Sequence, residues 1–174
     1  MANPPDHMDR ILAQWRHERP DLDVASIGVL GRLFRSAHLA DDALAEGIAP
    51  HGLQPGWFDL LAALRRSGKP YELNPTTLME TTMLSSGGMT KRLDRLDAAG
   101  LIERRPDPSD RRGTLIRLTR RGKATIDKAI ETHARNEDEL LRALTAADRR
   151  ILDDLLRKLL AGLERASSST TSSR

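Results

Sequence analysis

The sequence predicts a mainly α-helical chain with a small β-hairpin wing. Three observations point there. Apolar residues recur at three- and four-residue spacing through most of the 174 residues. Only two short runs, 101–105 and 114–118, read as strands, and "PDPSDRRG" joins them. A hydrophobic content of 39% beside 30% charge fits one well-solvated domain with a real core.

The elements follow in order. Residues 8–19 read as a helix in which Ile11, Leu12 and Trp15 share a face, and Pro20 stops it. A long helix over 23–48 carries Ile27, Leu30, Phe34, Ala37, Asp41 and Leu44 at helical spacing, with the apolar stripe lapsing at Asp41. After "APHGLQPG", a third helix over 55–66 starts with Pro55 in its first turn. Asn74 is a candidate N-cap for a short helix over 75–81. Ser85 or Ser86 is a candidate cap for the next helix, 86–99, whose Met89, Leu93 and Leu96 form a buried stripe. Gly100 ends that helix.

Beyond the hairpin, Thr119 is placed to cap a helix over 120–142. Thr145 and Asp148 form a capping box for the last helix, with Asp in place of the usual Glu or Gln. In that helix Ile151, Leu152, Leu155, Leu156, Leu159, Leu160 and Leu163 make a stripe two residues wide. One chain's core rarely needs so wide a face, so a second copy is the expected occupant, with packing inside the chain as the alternative. Residues 166–174, "ASSSTTSSR", read as a disordered polar tail. The organisation expected is a helical dimerisation region over 8–50 and 120–165 around a central region over 53–118 that holds the short helices and the hairpin.

Charge and composition narrow the function. Net charge is +3, yet residues 84–122 hold ten Lys/Arg against five Asp/Glu. That local excess suits a polyanionic partner, although a solvated charged face is the plainer use. With no cysteine, disulfides, thiolate metal sites and cysteine nucleophiles are excluded, which suits a reducing cytoplasm. No apolar run is long enough to span a bilayer, and "MANPPDHMDR" lacks the order of a secretory signal. The five histidines (7, 17, 38, 51, 133) show no metal-ligand pattern. There is no P-loop or G-x-S-x-G, so neither an enzyme nor a cofactor is expected.

A helix, a turn, a second helix and then a hairpin make a winged helix-turn-helix. In the second helix Ser86, Gly87, Thr90, Lys91 and Arg95 share the side away from the core. They are the expected contacts in a DNA major groove. On the hairpin, Asp110 is expected to brace the tip by accepting from Arg111 or Arg112, leaving an arginine for the minor groove.

The run "LSSGGMTKRLDRLDAAGLIERRPDPSDRRGTLIRLTRRG" resembles the winged-helix core of the MarR family. The resemblance implies a homodimer formed by N- and C-terminal helices, acting as a repressor on a pseudo-palindrome with half-sites about 10 bp apart. The leading "MDRILAQWRHERPDLD" is similar to the added helix of the urate-responsive branch. That similarity implies a ligand site of Trp15, Asp59, Arg92 and Arg104 for a small anion such as urate, or another such as trans-aconitate. Plainer roles stand beside these: Trp15 as an interface aromatic, Asp59–Arg92 as a structural ion pair, Arg104 on phosphate. A winged helix serving only protein contacts is the other class of function.

Overall fold

The computed structural model describes residues 4–82 and 88–171. The order is α1 (His7–Glu18), α2 (Ala25–Ile48), a 3-10 turn (Ala49–His51), α3 (Pro55–Arg66), β1 (Glu72–Leu73), α4 (Pro75–Glu80), α5 (Met89–Ala98), β2 (Ile102–Asp107), β3 (Asp110–Leu118), α6 (Arg120–Leu140) and α7 (Ala146–Thr171). The fold is thus mainly α with a small antiparallel sheet, as the sequence predicts. The chain divides into two units, Met1–His133 and Ala134–Arg174.

In the first unit, α1 starts at Asp6, whose carboxylate accepts from the Asp9 N–H while Asp9 accepts from the Asp6 N–H. That reciprocal pair satisfies two of the helix's orphan donors. Two glycines then let α1 lie close on α2. A Cβ on Gly28 would stand 2.9 Å from a Leu12 methyl, and one on Gly31 would stand 2.4 Å from the Met8 methyl. Arg32 of α2 donates to both Asp6 and Asp9, at 2.7 Å in each case. The predicted α2 stripe is left largely uncovered, with Ile27 40%, Leu30 41% and Phe34 68% exposed.

The core of this unit gathers Leu60, Leu61 and Leu64 of α3, Leu78 of α4, Met89, Leu93 and Leu96 of α5, Ile102 and Ile116 of the hairpin, and Ile126 of α6. The α5 stripe is the one predicted. Arg65 of α3 donates to Asp127 of α6 at 2.6 Å, and Lys123 donates to the same carboxylate. Thr119 is a junction. Its hydroxyl donates to the Gly100 carbonyl and accepts from the Gly122 N–H, so it caps α6 while holding the turn before β2.

Several boundaries differ from the sequence reading. The helix predicted over 86–99 is described as α5 from Met89, because Gly88 at its N-cap has a positive φ of 83° that breaks the helical path. The expected caps Ser85 and Ser86 lie outside the described residues. The hairpin is longer than predicted. Its strands extend to Asp107 and Asp110, so Pro106, Asp107 and Asp110 of "PDPSDRRG" are paired, Pro108 and Ser109 form the turn, and 111–113 lie in β3 opposite the register shift. An added two-residue strand, β1, pairs with β3 in the order β1-β3-β2.

In the second unit, Thr145 and Asp148 form the predicted capping box, and Arg149 donates to Asp138 at 3.0 Å. The tail expected to be disordered from 166 is helical through Thr171. There the Ser167 and Ser168 hydroxyls donate to the carbonyls of Leu163 and Glu164. Among the described residues, no helix is long and apolar enough to cross a membrane.

Candidate functional site

Asn74 starts the helix-turn-helix by accepting from the Thr77 N–H at 2.8 Å. Leu78 seats α4 in the core. With Met89, Leu93 and Leu96 buried, the helical period turns the rest of α5 outward. Thr90, Lys91 and Arg95 are all exposed. They share this face with two acidic residues, Asp94 and Asp97. Ser86 and Gly87 lie outside the described residues.

The wing follows at once. The register runs from Ile102↔Leu118 to Asp107↔Asp110, with an irregularity between Pro106 and Asp107. At the tip Asp107 accepts from the N–H and the hydroxyl of Ser109, which holds its carboxyl below the usual range. Asp110 accepts from the main-chain N–H of Arg112 at 2.9 Å. It braces the tip through backbone, where the sequence reading had a side-chain partner. Gly113 permits this crowding, since a Cβ there would stand 2.9 Å from the Asp107 Cβ. The brace leaves the exposed Arg112 side chain outside that hydrogen bond. Nothing is described for the Arg111 side chain.

Of the four ligand candidates, Asp59 and Arg92 interact electrostatically. Asp59 is half-buried on α3, and Arg92 acts from α5. Burial raises the Asp59 carboxyl above its ordinary value, while the charges of His133, Arg66 and Arg92 pull it back. Arg92 lies across the first turn of α3, where a Cβ on Gly56 would stand 2.9 Å from its Nε. His133 stacks on Phe58 with ring centroids 4.4 Å apart.

Arg104 makes different contacts. Its Nη2 donates to Asp94 Oδ1 at 2.5 Å, and its Nε lies 3.8 Å from Asp97 Oδ2. Trp15 stands 43% exposed on α1. Sequence reasoning missed the Arg104–Asp94 pair. Asp94 and Asp97 are three apart on one helix side, but it is the return of β2 along α5 that brings Arg104 to them. Among the described residues, no group of His, Cys, Asp and Glu could hold a metal ion.

Comparison with known proteins places this arrangement. The MarR family model matches residues 51–113. The HTH-type transcriptional regulator PecS of Dickeya dadantii is 40% identical over 146 residues, 84% of this chain and 88% of PecS. The multiple antibiotic resistance protein MarR of Escherichia coli is 32% identical over 133 residues, 75% of this chain and 90% of that protein. A mutant MarR from E. coli, solved in complex with operator DNA, superposes with a TM-score of 0.69 at 31% identity, covering 79% of this chain and 97% of that one. Sco3205 from Streptomyces coelicolor, at 22% identity and a TM-score of 0.73, shares the fold over 82% of this chain and 89% of its own. With PecS matched along most of both chains, and the family model lying on the winged helix itself, this chain belongs to the MarR family of transcriptional regulators.

Proposed function

We propose that the protein is a homodimeric DNA-binding repressor that leaves a pseudo-palindromic operator when a small anion binds. One observation carries the DNA reading. The exposed Thr90, Lys91 and Arg95 of α5 and the basic wing tip follow each other on a single packed core. Small and cationic side chains on a recognition helix suit base edges and phosphates, and a braced arginine hairpin suits a minor groove.

The test is binding to DNA selected from a random pool, read by fluorescence anisotropy across a salt series. Arg112→Ala weakens binding and lowers the salt slope by about 1. Arg111→Ala is expected to do the same. Unchanged affinity for both variants removes the wing from the interface.

The homodimer is supported by apolar residues that the single chain leaves exposed. Val29 and Phe34 of α2 are 65% and 68% exposed, and Ile151 and Leu160 of α7 are 59% and 57% exposed.

The ligand reading centres on Asp59 and Arg92, with Trp15 and Arg104 as further contacts. A planar anion such as urate would meet the Arg92 cation and disturb the balance around Asp59, biasing the recognition helix between two states. A ligand that took Arg104 would compete with Asp94 for the same guanidinium. Urate and trans-aconitate are titrated against the protein–DNA complex. Trp15→Ala is expected to keep DNA binding and blunt release. If urate leaves the wild-type complex intact, the urate assignment is wrong.

A further inference from the structure

We infer that Arg104 is a positioning residue, a clamp that ties the wing to the recognition helix through Asp94 and Asp97. Among the described residues, the hairpin is buried in the core at its base, through Ile102, Ile116 and Leu118. Along β2 from Glu103 outward the strand is largely exposed. Arg104 lies at the start of that exposed stretch. It reaches back to Asp94 at 2.5 Å, in the body of α5, and lies 3.8 Å from Asp97 one turn nearer the helix end. The turn between α5 and β2 already fixes the end of the helix, through the Gly100 N–H on the Asp97 carbonyl and the Leu101 N–H on the Leu96 carbonyl. Arg104 adds a second point of attachment further up the helix. Two points define an angle where one leaves a hinge.

The energetics favour positioning over stability. The side chains of Arg104, Asp94 and Asp97 are 39%, 57% and 43% exposed. Ion pairs this open contribute little to folding. A guanidinium is nevertheless a planar fork that serves two carboxylates at once. It also offsets one of the two negative charges on a helix face that otherwise presents Lys91 and Arg95. Without it, Asp94 and Asp97 would repel phosphate. Both effects run through the aspartates and not through direct contact of Arg104 with DNA.

That distinction sets the experiment. The DNA arm rests on the reading of the chain as a DNA-binding regulator, and the second arm does not. In the first, affinity for the selected DNA is measured for wild type, Arg104→Met, Asp94→Asn/Asp97→Asn and the triple variant, with thermal melts of each. Arg104→Met is expected to weaken binding about tenfold with little change in melting temperature. The same change in the Asp94→Asn/Asp97→Asn background is expected to cost less than about twofold. An equal loss in both backgrounds makes Arg104 a direct phosphate contact and overturns the proposal. So does an unchanged affinity in Arg104→Met.

The second arm uses no DNA. The chain has no cysteine, so Ala98→Cys and Ser109→Cys accept spin labels at the helix end and the wing tip. Arg104→Met is expected to broaden the distance distribution between them, and so is Asp94→Asn/Asp97→Asn. Distributions as narrow as the unsubstituted pair's overturn the clamp, even if the protein binds no DNA at all.

Discussion

Leu60, Leu61, Leu64, Leu78 and Leu96 of the winged-helix core are each 0% exposed, whereas Val29, Phe34, Ile151 and Leu160 of α2 and α7 are 57–68% exposed. The residue types are much the same. In the core, elements from four helices and a hairpin close on each other, so one chain removes its own apolar surface from water. The long helices carry stripes that their own unit leaves wet. Stability in the core is therefore a property of one chain, while the apolar faces of α2 and α7 suit a partner.

The sharpest way to break the core is at Gly122. A Cβ there would stand 1.8 Å from the Leu101 carbonyl oxygen, and that neighbour is backbone. Gly122→Ala must therefore part α6 from the turn before β2 and loosen the Thr119 cap. The expected loss is about 3 kcal/mol or more, measured by urea unfolding. A loss below about 1 kcal/mol would show that the junction opens freely.

The contrast between regions is tested next by a matched pair. Leu60→Ala removes a side chain that is 0% exposed and is expected to cost about 3 kcal/mol at every protein concentration. Leu160→Asp and Phe34→Asp alter exposed positions, so they are expected to leave the core intact and, if the proposed homodimer forms through these faces, to shift sedimentation from dimer to monomer. If the wild-type protein already sediments as a monomer, the helical faces have another use. If the aspartate variants unfold even when dilute, the stripes belong to a core.

A smaller effect is expected at the cap of α7. Asp148 accepts from the N–H and hydroxyl of Thr145, which hold its carboxyl below the usual range. Asp148→Ala is expected to speed amide exchange in the first turn of α7. Unchanged exchange would mean that Thr145 alone suffices.

These sites also show what could be read from sequence. Local signals transmitted well. The 3.6-residue period placed Met89, Leu93 and Leu96 inward, and Thr119, Asn74 and the Thr145–Asp148 box marked helix starts that the hydrogen bonds display. Features that need two distant segments did not transmit. Glu72–Leu73 is a strand only because Arg117 and Ile116 lie beside it. Beyond Ile102, β2 is largely exposed, so it carries no alternation to announce that Pro106 and Asp107 pair with Thr114 and Asp110. Family resemblance carried Arg104 to the ligand group, but its partners Asp94 and Asp97 follow only from how β2 folds back along α5.

The finest test sets one carboxylate in each region against the other, with opposite signs. Burial raises Asp59 in the core, so its ionised form opposes folding. That penalty is complete above the raised value in the folded state and vanishes below the unfolded value of about 3.9. Asp59→Asn is therefore expected to melt higher than wild type at pH 7, with the gap closing as the pH falls into the ordinary carboxylate range. Asp6 is the reverse. The Arg32 hydrogen bonds, foremost among its causes, lower it to about 2. Its contribution is present above the unfolded value and is lost as the pH falls towards about 2. Asp6→Asn is expected to melt lower than wild type at pH 7 and to approach it in strong acid. If both variants shift the same way at pH 7, the charges around Asp59 outweigh its burial, and the site is an ion pair built for stability. If they shift in opposite directions, α1 docks by a favourable charge pair while the core holds an ionised carboxylate at a cost, as a site tuned for a ligand would.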